Sequence, residues 1–144
     1  MPKGIIIADI MNRNTTSILY NRSLEEACQL FVKEQCHYFP VVNDADELVG
    51  VLSTLDVLSI AIDYIENGKR NSKKKNTPLK VEDLMKRDPF RIQADAAVQQ
   101  ALDIFENEQC WALLVLSGNT LVGIVTSFDL VNYFTHQSRY SVDL

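Results

Sequence analysis

The chain has 144 residues, 47% hydrophobic and 23% charged, with a formal net charge of −5. That is the size of one ordinary domain or two very small ones, and enough chain to bury about 68–70% of its unfolded surface without staples. Three cysteines, Cys28, Cys36 and Cys110, with no Cys-x-x-Cys pair argue against a disulfide framework, and no apolar run nears the ~18 residues of a membrane span.

The start, Met1 to Asp9, carries four apolar residues in a row (Ile5 to Ala8) before an acid. A secretory h-region needs about 7–15, so a cytoplasmic chain is expected. Thr16-Ser17-Ile18 reads as a short extended piece. Ser23-Leu24-Glu25-Glu26 is a capping box opening a helix whose apolar face is Leu24, Ala27, Cys28 and Phe31. Two strands follow, Phe39 to Val42 and Leu48 to Ser53, around the turn Asn43-Asp44-Ala45-Asp46. A second helix is expected from about Thr54 to about Ile65. The segment Glu66 to Lys80 then sets Lys69, Arg70, Lys73, Lys74, Lys75 and Lys80 against Glu66 alone, which places it at +5 and the rest of the chain at −10. With its Gly, Ser, Asn and Pro78 it reads as a linker.

Beyond the linker the pattern returns. Asp9-Ile10-Met11 recurs as Asp83-Leu84-Met85, 74 residues on, and at that offset Ile18 meets Ile92, Ala27 meets Ala101, Phe31 meets Phe105, Cys36 meets Cys110 and Val41 meets Val115. One residue is lost from the turn. At an offset of 73, Gly50-Val51-Leu52-Ser53-Thr54-Leu55-Asp56 meets Gly123-Ile124-Val125-Thr126-Ser127-Phe128-Asp129. The second copy therefore has an extended piece at Phe90-Arg91-Ile92, a helix expected to be capped by Asp95, strands Leu113 to Leu116 and Leu121 to Thr126, and a helix from about Ser127 to about Thr135. Such a repeat is the main organising fact. The expected fold is mixed α/β (α+β): two β-α-β-β-α repeats packed as a pseudo-two-fold pair, with domain one at 1–65, the basic linker at 66–80 and domain two at 81–144. One repeat alone can bury little core; two can cover each other's apolar strand faces.

The Asp-hydrophobic-Met opening, the strand His37-Tyr38-Phe39-Pro40-Val41-Val42 and the Gly-hydrophobic-hydrophobic-Ser/Thr-x-x-Asp ending, in order and twice, resemble the CBS domain family, and the pair resembles a Bateman module. The resemblance covers about 9–62 and 83–135. It implies a purine nucleotide in a cleft between the paired domains, here an adenine nucleotide such as AMP, ADP or ATP. Carried over by position, it makes Ser53 and Asp56, and Thr126 and Asp129, candidates for the ribose. Thr16, Ser17 and Ile18, and Phe90, Arg91 and Ile92, become candidates for the base. Pro40 and Val41 would line the first site, and His37 is a candidate for phosphate. It also implies a homodimer and an effector protein outside this chain.

The chemistry suits those roles. A carboxylate accepts hydrogen bonds from both ribose hydroxyls, a Ser or Thr hydroxyl adds a donor and an acceptor, and a helix N-terminus suits a phosphate. Yet Ser53-x-x-Asp56 and Thr126-x-x-Asp129 are equally capping boxes, and both roles can coexist. Copy two has Leu114 where copy one has Pro40, and Trp111-Ala112 where copy one has His37-Tyr38, so one occupied and one degenerate site is expected. Trp111 reads as a packing residue, Cys36 and Cys110 as core sulfurs. The expected function is a regulatory sensor rather than an enzyme, since no phosphate-binding glycine loop, metal cluster or nucleophile triad is legible. The alternatives are a ligand-free structural or dimerisation scaffold, and a weak nucleic-acid binder through the basic linker, disfavoured by the acidic body.

Overall fold

The computed structural model describes residues 4–13, 16–67 and 78–141; most of the basic linker, 68–77 with Lys69 to Lys75, lies outside the described residues. The chain forms two compact units: one is Thr16–Pro89, and the other joins the chain up to Thr15 with the chain from Phe90 onward.

The Thr16–Pro89 unit contains β1 (Ile18–Leu19), α1 (Leu24–Glu34), β2 (Tyr38–Val42), β3 (Leu48–Ser53), α2 (Thr54–Asn67), α3 (Val81–Leu84) and β4 (Lys86–Arg87). Its sheet runs β1-β2-β3-β4. β1 is parallel to β2, as a strand-helix-strand crossover requires, and the other pairs are antiparallel. The Ser23 capping box forms as its sequence predicts, with the Glu26 N–H donating to Ser23 Oγ at 3.0 Å. α1 ends on Gln35 in the left-handed region, φ 50°. The β2–β3 turn is an Asx turn in which Asn43 Oδ1 accepts the N–H groups of Ala45 and Glu47 at 3.0 and 2.9 Å. Ile18, Ala27, Phe31, Phe39, Val41, Leu52, Val81 and Met85 form the core, where the rings of Phe31 and Phe39 lie 4.6 Å apart.

The other unit opens with a 3-10 turn, Ile7–Asp9, and contains β5 (Arg91–Gln93), α4 (Val98–Glu108), β6 (Ala112–Ser117), β7 (Thr120–Thr126) and α5 (Ser127–Ser141). Its sheet runs β5-β6-β7, and Asn12 bridges Ile124 through two hydrogen bonds of 2.8 and 3.0 Å, in the place that β4 takes in the first sheet. Ile7, Ile92, Val98, Ala101, Leu113, Val115, Val125 and Leu130 form its core. The expected β-α-β-β-α order holds in both repeats, while α5 runs past the expected end at Thr135 to Ser141.

Each compact unit is completed by the opening turn of the other repeat. Ile7 is fully buried among second-repeat residues and Val81 among first-repeat residues. The exchanged segments also satisfy helix ends: the Leu24 N–H donates to the Leu79 carbonyl and the Val98 N–H to the Ile5 carbonyl, both at 3.0 Å. This corrects the cap assigned to Asp95. The N-cap of α4 is Ala97, with no side-chain cap bond; Ala97 is the repeat-equivalent of Ser23, and Asp95 stands two positions too early.

The glycine-bearing strand of each repeat meets the opening turn of the other across this exchange. A Cβ on Gly50 would lie 2.6 Å from Met85 Sδ and 2.7 Å from the Lys86 carbonyl, and one on Gly123 would lie 2.6 Å from Met11 Sδ and 2.9 Å from the Asn12 carbonyl. Glycine inside a strand thus marks close backbone approach. The acids of the opening turns fix its geometry, since Asp9 Oδ2 accepts the Ile6 N–H at 3.1 Å and Asp83 Oδ2 the Lys80 N–H at 2.9 Å.

Candidate functional site

Strand directions gather the candidate residues of each repeat at one end of its own sheet. In the first-repeat sheet Ile18 pairs with Val41 in parallel, and Tyr38 pairs with Ser53 in the antiparallel β2–β3 ladder. The chain entering β1 (Thr16, Ser17), the chain entering β2 (His37) and the junction of β3 with α2 (Ser53 to Asp56) therefore lie at a common edge. The Thr54 N–H donates to the His37 carbonyl at 3.0 Å and ties the last two together.

At that junction the capping box is complete. The Ser53 N–H donates to Asp56 Oδ2 at 2.8 Å, and the Asp56 N–H donates to Ser53 Oγ at 3.2 Å. The second repeat reproduces it: the Thr126 N–H donates to Asp129 Oδ2 at 2.8 Å, and the Asp129 N–H to Thr126 Oγ1 at 3.2 Å. Both hydroxyls act as acceptors, so each keeps its proton for donation, and each box engages only Oδ2 of its acid. All four side chains are part-buried. Each junction can thus cap its helix and still offer a carboxylate oxygen and a hydroxyl to a vicinal diol.

The base candidates divide. Ile18, Val41 and Ile92 have their side chains in the unit cores, so what they present at the edge is backbone. Pro40 is buried, Thr16 is partly buried, and Ser17, His37 and Arg91 are exposed. Phe90 is exposed, and its carbonyl accepts the Leu114 N–H at 3.0 Å. Pro40 stands in Leu114's place in the first repeat and has no N–H to give, which accounts for β1 beginning only at Ile18, one position later in the repeat than β5.

Trp111 corrects an expectation. It is 57% exposed and lies outside the core, because it precedes β6 and the buried run begins only at Leu113. Its carbonyl accepts the Ser127 N–H at 3.0 Å, which sets it beside the Thr126–Asp129 box as His37 is set beside Ser53–Asp56. The sequence signal was its position outside the apolar strand run, shared with His37. Cys36 and Cys110 pack partly buried against the two cores. Burial pushes the Cys36 thiol pKa up, a backbone hydrogen bond from Tyr38 opposes the rise, and Glu34 adds to it; Cys36 Sγ also donates to the Tyr38 carbonyl at 3.7 Å. Among the described residues no group of three or more His, Cys, Asp or Glu side chains can hold a metal ion, and no helix is long and apolar enough to cross a membrane.

The CBS domain family model matches residues 7–63 and 81–136. Homoserine O-acetyltransferase of Methanosarcina acetivorans is 26% identical over 131 residues; the match covers 90% of this chain and 22% of that protein, so the chain spans about a fifth of its relative's length. Among solved structures, CBSX2 in complex with AMP superposes with a TM-score of 0.76 at 23% identity, covering 94% of this chain and 99% of that one. The CBS domain pair of MJ0100, in complex with 5′-methylthioadenosine and S-adenosyl-L-methionine, superposes at 0.75 with 21% identity, covering 94% and 99%. At these identities the structural likenesses establish the fold.

Proposed function

The chain belongs to the CBS domain family, and on that premise we propose that it is a regulatory module that binds an adenine nucleotide and signals to a separate effector protein. The observation that carries the reading is the repeated Ser/Thr-x-x-Asp box, built twice with the same distances and leaving the same carboxylate oxygen and hydroxyl proton for a ribose. Ser53 and Asp56, and Thr126 and Asp129, hold the sugar. Backbone at Thr16 to Ile18 and at Phe90 to Ile92 meets the adenine edge, with Pro40 and Val41 beside the first site. His37 meets phosphate in the first repeat, and Arg91 is the cation available in the second. The AMP, 5′-methylthioadenosine and S-adenosyl-L-methionine of the structural neighbours support the ligand class. The role is regulatory rather than catalytic, and regulation follows if the ligand binds one conformation better than another.

Thermal melting against adenine and guanine nucleotides tests this. At about 100 times its dissociation constant a ligand adds ~2.7 kcal/mol, roughly 5–10 °C for a chain near this size. A shift with adenine compounds supports the sensor; a folded protein unmoved by any nucleotide leaves the scaffold reading, with both acids serving as caps.

The partner proposed for the exposed apolar residues of α2 and α5 is a second copy of the chain. α2 exposes Leu55, Leu58, Ile62 and Ile65, the 3-4-3 spacing of a helix-packing seam, and α5 exposes Phe128, Val131 and Phe134. Sedimentation is expected to show a species of twice 16.3 kDa, reduced to the single mass by Leu58→Glu with Ile62→Glu; a wild-type chain sedimenting only as monomer at micromolar concentration overturns it.

A further inference from the structure

Leu55, Leu58, Ile62 and Ile65 of α2 form the longest exposed apolar stripe among the described residues. At about 100° per residue they fall in one band roughly 80° wide. Their 3-4-3 spacing reads the same in both directions, the self-complementarity that an isologous interface requires. They expose on the order of 400 Å², within the ~300–600 Å² at which a contiguous apolar patch marks an interaction site. The flanking residues suit a like partner. Thr54, Ser59 and Ala61 are small and uncharged, and Asp56 and Asp63 lie off the stripe. In a chain of net charge −5 the acids are thereby kept from facing their own copies. The Ser59 hydroxyl donates to the Leu55 carbonyl at 3.0 Å within the helix, so covering it leaves no donor unpaired. α5 differs. Thr135 stands exposed in the place of Ile62, and Phe128, Val131 and Phe134 are spaced 3-3, a stripe that drifts round the helix and ends about one turn sooner.

We propose that α2 pairs with α2 of a second copy, antiparallel across a two-fold axis through the middle of the stripe. The inference rests on the dimer reading and assigns its contact. Leu58 then meets Ile62 of the second copy, Leu55 meets Ile65, and Ser59 meets Ala61, whose small side chains let the helices approach closely. Glu66 meets Thr54 rather than another acid. Laid on α5 of the second copy, α2 would instead leave about one turn of its stripe over Thr135 or beyond Phe128. A seam with about half of the ~800 Å² per partner of a standard complex makes a reversible dimer whose copies exchange on mixing.

Two charged chains test the pairing by sedimentation at low ionic strength, where opposite charges are little screened. One carries Leu58→Glu with Ile62→Glu, the other Leu58→Lys with Ile62→Lys. The wild type is expected at twice 16.3 kDa. Each charged chain alone is expected at the single mass, its self-association weakened at least ~100-fold. Its circular dichroism spectrum should match wild type, since both positions lie outside the core. An equimolar mixture of the two is expected to regain the double mass, because position 58 of each copy faces position 62 of the other and the opposite charges pair. If the charged chains are monomeric and their mixture stays so, α2 does not meet its own copy, and the dimer reading stands on the wild-type mass. If the Glu chain regains the dimer only with a chain carrying Phe128→Lys and Val131→Lys, α2 meets α5 and the pairing is overturned. A Glu chain that still dimerises alone overturns it too. A wild type that sediments only as monomer at micromolar concentration removes the pairing and the dimer together.

Discussion

Replacing Gly50 by alanine adds one methyl group at the point where the first sheet meets β4. The added Cβ would stand 2.6 Å from Met85 Sδ and 2.7 Å from the Lys86 carbonyl, against about 3.5–4.0 Å for an ordinary contact. The sulfur can swing away. The carbonyl cannot do so alone, because Val51 pairs with Lys86 and Gly50 with Arg87, so β4 must shift by about 1 Å. Overpacking of this kind costs about 1–3 kcal/mol, offset by roughly 0.5–1 kcal/mol from replacing glycine in a strand. The net loss is expected near 1–2 kcal/mol, a fall in melting midpoint of about 3–10 °C, followed by circular dichroism or calorimetry. Gly123→Ala, facing Met11 and the Asn12 carbonyl, should behave alike. In a double-mutant cycle Gly50→Ala and Met85→Ala should couple by at least ~0.5 kcal/mol, because truncating the methionine removes one of the two close contacts. An alanine variant as stable as wild type, or strict additivity with Met85→Ala, would refute the exchange of opening turns that this contact seals.

Ser53→Ala and Thr126→Ala each remove a cap acceptor and are expected to cost about 0.5–2 kcal/mol in urea melts, with similar losses in the two repeats because the boxes share their distances. The Cys36 thiol, raised by burial, should alkylate more slowly at pH 8 in the folded chain than in urea. Its folded pKa lies above its unfolded value, so its contribution to stability is complete below the ordinary cysteine range near about 8.5 and is lost as pH rises through the folded value. Cys36→Ser should flatten that alkaline loss in a stability-against-pH series.

Local signals carried much of this fold. The Ser23–Glu26 box, Ala27 and Phe31 of the expected α1 stripe and the turn at Asn43 are written in short stretches of chain, and each has its counterpart in the structure, while Leu24 and Cys28 of that stripe stay only partly buried, outside the core. The exchange of opening turns left no local trace. Ile7 and Val81 are apolar residues whose partners lie far along the chain, and periodicity says nothing of which sheet they complete. The glycines were the available sign: Gly50 and Gly123 sit in mid-strand, where a missing side chain means something approaches closely. Asp95 misled because an acid just before a helix resembles a cap, whereas the Ile5 carbonyl already takes the first helical N–H. Trp111 misled because aromatic residues are weighed as core, and only its position before β6 separates it from the buried run.

Calorimetric titration of AMP into the wild-type chain, into Asp56→Ala and Asp129→Ala, and into the double variant addresses the nucleotide-binding claim most directly. Each variant is compared with its own unliganded melting midpoint, so that loss of a helix cap is separated from loss of a ligand contact. The expected result is saturable binding in the wild type, weakened in at least one single variant and abolished in a still-folded double variant. Binding that survives in the double variant, or no heat and no midpoint shift in the wild type, would contradict the assignment of the two Ser/Thr-x-x-Asp boxes to ribose.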